Sequence, residues 1–224
     1  MSSFVLKIIA IISMFIDHLS YALYGRFTWL NYIGRLAFPI FAFQLTEGYS
    51  HTQNLKKYFL RLGIFAAFSQ IPYSLFLHTF TNNFILNIFF TLFAGLLAIT
   101  VFDKSKNKFS GLFCAVVIAI ISEFLHFDYG YFGVLLIFVF HLFKNNHIHM
   151  IVAFIFAVCL KYTISLIQNN FYYPSYIIAL CTMLSIIPIL LYNKKQGKHM
   201  KYFFYIFYPV HLIILYLINI ILSF

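Results

Sequence analysis

The chain has 224 residues, of which 63% are hydrophobic and 9% charged, with a net charge of +10 and a mean hydropathy of +0.91. A water-soluble domain carries about 25% charged residues, so this composition excludes a globule covered by a polar surface. Three scattered cysteines (Cys114, Cys159, Cys181) exclude a disulfide framework, and no basic helix or stripe gathers the positive charge for nucleic acid. What remains is an all-α fold, a polytopic integral membrane helical bundle with the lipid bilayer as its first partner.

A spanning helix needs about 20 mostly apolar residues. In chain order, such runs cover 4–24, 29–48, 58–78, 84–102, 149–167, 174–192 and 202–223. The stretch 111–143 is too long for one span, and His126-Phe-Asp-Tyr-Gly130 divides it into two short helices or a re-entrant hairpin. The expectation is about nine transmembrane helices, with the fifth and sixth short. Charge asymmetry agrees. Nine crossings place Lys7, Lys56, Lys57, Arg61, the lysines from Lys104 to Lys144 and those from Lys194 to Lys201 on one side. Only Arg26, Arg35 and Lys161 lie towards the other. The N-terminus is then cytoplasmic and the C-terminus outside. The first apolar run is too long for a cleavable signal peptide, no repeat or soluble appendage is visible, and 1–224 reads as one domain.

Polar residues inside apolar helices are costly and mark pairs, cavities or chemistry. On the first helix, Asp17 and His18 are adjacent and project about 100° apart. His18 shares a stripe with Lys7, eleven residues and about 16 Å below it. One extended ligand with an anionic head and a reactive end would touch both; a snorkelling lysine and a structural Asp–His pair fit the same spacing. Arg35 matches Asp17 in depth on the second helix, which predicts an ion pair, and Pro39 frees the Arg35 carbonyl. Glu47 lies too far down the second helix to reach Arg35, and its natural partners are Lys7, His51, Lys56 and Arg61. The loop from Gly48 to Lys57, with His51 in it, and Arg61 form a basic cytoplasmic surface that suits phosphates, anionic lipid heads or plain topology. Asp103 reads as a solvated loop acid among lysines. Gln70, Asn87, Glu123, Asp128, Tyr129, Tyr208 and His211 are further polar residues at compatible depths. Of these, His211 fits a core histidine bonded to a carbonyl freed by Pro209, and Phe127-Asp-Tyr-Gly130 a turn between helices. Neither His126-Phe-Asp128 nor His147-Ile-His149 has the convergent ligands of a zinc site, so no metal is expected.

Eight segments in order carry a family resemblance. They are Lys7-Ile-Ile-Ala-Ile-Ile-Ser-Met-Phe-Ile-Asp-His18, Gly34-Arg-Leu-Ala-Phe-Pro-Ile-Phe-Ala-Phe43, Glu47-Gly-Tyr-Ser-His-Thr52 and Tyr58-Phe-Leu-Arg-Leu62. Ser69-Gln-Ile-Pro72, Asn87-Ile-Phe-Phe-Thr-Leu92, Phe127-Asp-Tyr-Gly130 and Tyr205-Ile-Phe-Tyr-Pro-Val-His-Leu212 complete the series. Over nearly its whole length the chain resembles the TraX family, whose namesake N-acetylates F-pilin. The Lys7-x10-His18 spacing is also similar to the basic-x10-His motif of acyltransferase-3-type membrane enzymes.

The resemblance implies an acetyltransferase of the bacterial cytoplasmic (inner) membrane with acetyl-CoA as acyl donor. His18 would be the general base or a transient acyl carrier, Asp17 would orient it or tune its protonation, and Arg35 would pair with Asp17 or stabilise an oxyanion. Lys7, Glu47, His51 and Arg61 would lie on the CoA side. Gln70, Asn87, Glu123, Asp128, Tyr129, Tyr208 and His211 would be acceptor-side or supporting. The acceptor would be a pilin N-terminus or the amine or hydroxyl of an envelope polymer. Two rivals use the same residues: a proton-coupled transporter and a non-catalytic assembly factor for surface structures.

Overall fold

A computed structural model describes residues 1–168, 174–198 and 200–223. Among these residues all regular structure is helical: α1 (Ser3–Tyr24), α2 (Leu30–Gly34), α3 (Ala37–His51), α4 (Leu55–Leu77), α5 (Ile88–Lys104) and α6 (Lys108–Phe124). After these come α7 (Gly130–Leu142), α8 (His147–Gln168), α9 (Pro174–Leu184), α10 (Ile186–Leu190) and α11 (Lys201–Ser223). Four of them, α1, α4, α8 and α11, are long and apolar enough to cross a membrane. This is a helical membrane protein. The outer connection expected after residue 167 and the Lys201 side chain lie outside the described residues.

Two predicted helices are broken. The run 29–48 divides into α2 and α3, and 174–192 divides into α9 and α10. Proline is the cause in both. Pro39 has no N–H for the Arg35 carbonyl, and its ring crowds that carbonyl. The chain therefore leaves the α-ladder through tighter turns, with Arg35 N–H donating to Tyr32 O (3.3 Å) and Leu36 N–H to Ile33 O (3.2 Å). It restarts at Ala37, with Pro39 in the first turn, where no intrahelical acceptor awaits its nitrogen. Pro188 stands in the same relation to Leu184, the last residue of α9. The run 111–143 divides as expected, into helices of 17 and 13 residues.

Two compact units emerge. The first comprises Met1–Phe41, Ile71–Asn83 and Val158–Phe224, and the second Ala42–Gln70 and Phe84–Ala157. In the first unit α1 packs on α2 and α11, and α2 on α9. The start of α1 is tied to the segment before α11: Ser3 N–H donates to Lys195 O (2.8 Å), Phe4 N–H to Gln196 O (3.1 Å) and Asn193 N–H to Met1 O (2.9 Å). In the second unit α5 packs on α6 and α7. Leu96, Ile99, Leu136, Ile137, Phe140 and Phe154 are fully buried in its core. Lipid tails give helices no hydrophobic reason to associate, so close packing at small residues and polar bonds must hold them. Gly95 provides one such approach, since a Cβ there would overlap Ile137.

Candidate functional site

Within the first unit, the predicted Asp17–Arg35 pair forms. Arg35 Nη2 donates to Asp17 Oδ1 at 2.6 Å, and the two side chains are 21% and 16% exposed. Asn31, a residue the sequence reading passed over, completes the site. Its amide donates to Asp17 Oδ1 (3.0 Å) and to the Asp17 carbonyl (3.1 Å), while its own Oδ1 accepts from Ser20 Oγ (2.8 Å) and Thr28 N–H (2.7 Å). Arg35 Nε donates to the Asn31 carbonyl at 3.1 Å. The break between α2 and α3 lets one short helix and the residue that caps its C-terminal end present Asn31 and Arg35 to α1. Gly34 lies against Asp17, and a Cβ there would overlap the aspartate side chain.

His18 has a different partner. No Asp17–His18 hydrogen bond forms among the described residues; adjacent helical positions diverge, and Asp17 Oδ1 is occupied. Instead His18 Nδ1 lies 2.8 Å from His211 Nε2 on α11, with ring planes 5° apart. His211 Nδ1 contacts the Phe207 carbonyl at 2.9 Å. This corrects one expectation: Pro209 lacks the N–H that would reach the Tyr205 carbonyl, yet His211 bonds to Phe207, one turn before itself. Phe76 and Tyr208 flank the His18 ring at 5.5 and 6.5 Å. His18 Nε2 has no hydrogen bond among the described residues. The His18 residue as a whole is half-buried. Lower on α1, the Lys7 ammonium sits 5.5 Å from the Phe204 ring.

In the second unit, Glu47 and His51 approach to 3.7 Å on α3. Arg61 lies over the Tyr58 ring at 5.4 Å, and its Nε is enclosed without a partner. Gln70 and Asn87 join as a structural node. Gln70 Oε1 accepts from Asn87 N–H (3.0 Å) and Nδ2 (2.8 Å), and Asn87 Oδ1 caps α5 by accepting from Phe89 N–H (3.0 Å). Glu123 Oε2 accepts from Tyr131 N–H (3.1 Å) and so caps α7. Asp128 and Tyr129 lie in the α6–α7 turn, where Asp128 N–H donates to Leu86 O (2.9 Å). The turn is also bonded by Leu86 N–H to His126 O (2.9 Å).

Asp103 is solvent-exposed as expected, but it is not a loop residue. It belongs to the last turn of α5. There it accepts from His141 Nε2 (3.0 Å) on α7 and from the Tyr49 hydroxyl (3.0 Å) on α3. Partial burial alone would raise the Asp103 carboxyl, but the His141 and Tyr49 hydrogen bonds and the charges of His141 and Lys108 outweigh it and hold it below the usual carboxylate range. Burial, then the hydrogen bond to Asp103, pushes the Tyr49 phenol up to about 12. Flanking lysines concealed this cluster from sequence. The signal available was His141 in an otherwise apolar helix end.

The model of the family described as TraX protein matches residues 2–219. The chain belongs to the TraX family. It is 28% identical to "Probable fimbrial assembly protein FimC, serogroup H1" of Dichelobacter nodosus, over 96% of this chain and 94% of that one. It is also 32% identical to "Uncharacterized protein RP591" of Rickettsia prowazekii (strain Madrid E), over 56% of this chain and 49% of that protein. No solved structure matches. Every site residue of the first unit named above falls inside the TraX match.

Proposed function

We propose that this TraX-family protein is an acetyltransferase of the bacterial cytoplasmic membrane. It would move an acetyl group from cytoplasmic acetyl-CoA to an amine or hydroxyl of a cell-surface acceptor. The observation that carries this reading is His18: its Nδ1 is held while its Nε2 makes no hydrogen bond among the described residues. Lys7 lies three helical turns below on the same helix, a cation placed for an anionic donor. A pilin-like subunit as acceptor draws support from the Dichelobacter relative, whose name is that of a fimbrial assembly protein.

In this reading His18 Nε2 takes the proton of the acceptor amine or hydroxyl as that atom attacks the thioester carbonyl. The new C–N or C–O bond forms, the C–S bond breaks, and the imidazolium returns the proton to the departing sulfur. Arg35, fixed by Asp17 and Asn31, carries positive charge toward the oxyanion of the tetrahedral intermediate. Within the first unit, Lys7 would serve the CoA side.

Purified full-length protein in mild detergent, given acetyl-CoA and a peptide amine or amino sugar, tests this directly. Wild type should bind acetyl-CoA and release thiol, while His18→Ala should bind but release thiol about 10²–10⁴-fold more slowly. Failure of folded wild type to bind acetyl-CoA would remove the proposal. The same relative's name also fits a non-catalytic assembly factor. Under that reading His18→Ala would leave assembly of the surface structure intact.

A further inference from the structure

We propose that His211 is a positioning residue that fixes the tautomer of His18 and leaves His18 Nε2 as the proton-accepting nitrogen. Its importance for acyl transfer rests on the function proposed above; the tautomer itself stands on geometry alone.

The chain of bonds has one direction. A backbone carbonyl has lone pairs and no hydrogen, so at 2.9 Å from Phe207 O the hydrogen must be on His211 Nδ1. A neutral imidazole carries one N–H, so His211 Nε2 is then bare. At 2.8 Å from that bare nitrogen, His18 Nδ1 must be the donor. Neutral His18 has now used its only hydrogen, and its Nε2 is bare in turn. The proton-accepting atom of the site is thereby set by a carbonyl on α11, two rings away.

Two further observations favour a built arrangement over chance packing. His211 is 2% exposed and stacks at 4.9 Å on the ring of Phe207, the residue that supplies the carbonyl. The ring therefore has little freedom to flip its nitrogens. And the neighbour best suited by sequence to orient His18, Asp17, is bonded to Arg35 and Asn31. When His18 takes a proton at Nε2, its Nδ1–H still donates to His211, so no bond of the relay is lost during turnover. An orienting group that fixes the tautomer of an active histidine is the logic of a catalytic triad, with an imidazole where the carboxylate would be.

The test uses full-length protein labelled with 15N-histidine in detergent, because ring nitrogen shifts separate protonated from bare atoms. His18→Gln assigns the His18 signals among the nine histidines. Wild type should show hydrogen on Nδ1 and a bare Nε2 for both His18 and His211. In His211→Phe the acceptor is gone, and His18 should shift toward the Nε2–H form. In His211→Gln the amide oxygen can accept from His18 Nδ1, and the wild-type tautomer should return. Acetyl transfer should follow, with kcat down about 10–100-fold in His211→Phe, largely restored in His211→Gln, and the KM for acetyl-CoA unmoved. Hydrogen on His18 Nε2 in wild type overturns the proposal, and so does a His18 tautomer unchanged in His211→Phe. The expected wild-type tautomer in a protein that transfers no acetyl group would uphold the pair and remove the enzymatic reading. Wild-type spectra alone decide the tautomer if His211→Phe does not fold.

Discussion

Gly34 lies so close to Asp17 that an added methyl must displace the aspartate from Arg35 or push α2 off α1. Gly34→Ala should therefore lower stability by about 1–3 kcal/mol, the usual cost of overpacking, read as a fall in thermal unfolding temperature in detergent. The ion pair has its own signature. Arg35→Gln alone leaves Asp17 without its cation, and Asp17→Asn alone leaves Arg35 without its anion. Each should cost less than the roughly 3–5 kcal/mol of a sealed pair, because both side chains keep some exposure. The double variant should be more stable than the sum of the two losses, and strict additivity would show that the pair contributes nothing. Asp17–Arg35 was legible because matched depth on consecutive helices is a property of the sequence. His18–His211 was not. The two are 193 residues apart, and nothing local in Tyr208-Pro-Val-His211 names the ring it meets.

At the scale of helices, the prolines decide how much of the fold could be read. Pro39 drew attention as the source of a freed carbonyl, yet its larger effect is to end α2 and restart the chain as α3. Pro188 does the same between α9 and α10. Pro72 and Pro209 lie inside continuous helices. Hydropathy alone does not separate these cases, because all four prolines sit in apolar runs. The α6–α7 turn was legible from Phe-Asp-Tyr-Gly, and its determinants are now specific. Gly130 has φ +47°, and a Cβ there would overlap the Glu123 carboxylate that caps α7. Gly130→Ala should destabilise by more than Glu123→Ala, which removes one capping acceptor and should cost about 1 kcal/mol. The tie from Asp103 to α3 and α7 adds a pH dependence. Its carboxyl is held below the unfolded value of about 3.9. The tie therefore contributes stability above that pH and loses it as pH falls through the folded value. Asp103 is 37% exposed, so the contribution should stay below about 1 kcal/mol. Asp103→Asn should flatten the acid side of a thermal-stability profile between pH 7 and 3, and an unchanged profile would show that the carboxylate does not support the helix ends.

For the whole molecule, the distribution of basic residues argues for one orientation. Lysines or arginines mark the start of α1, the connections from α3 to α4, α5 to α6, α7 to α8 and α10 to α11, and very little else. Positive charge near helix ends is retained in the cytoplasm, so each of these connections should be cytoplasmic. That requires an even number of passages between Lys104 and Lys144. It is met whether α6 and α7 both cross or turn back together inside the bilayer. Their lengths make the question real: 17 and 13 residues rise about 26 and 20 Å, against a hydrocarbon core of about 30 Å. Reporter fusions resolve both points. Alkaline phosphatase fused after Phe224 should be active, and after Lys104 or Lys144 inactive, with green fluorescent protein giving the reverse. Opposite sidedness at Lys104 and Lys144 would make α6–α7 a single crossing and turn the basic loops after it outward, against the charge rule. A cysteine placed at Asp128 then distinguishes the remaining forms, because an impermeant thiol reagent added outside intact cells reaches that turn only if α6 and α7 span the full membrane. The orientation bears on the chemistry as well. It would put Lys7 at the cytoplasmic edge and His18 about 16 Å above it, the order in which a cytoplasmic acyl donor and an external acceptor would have to meet.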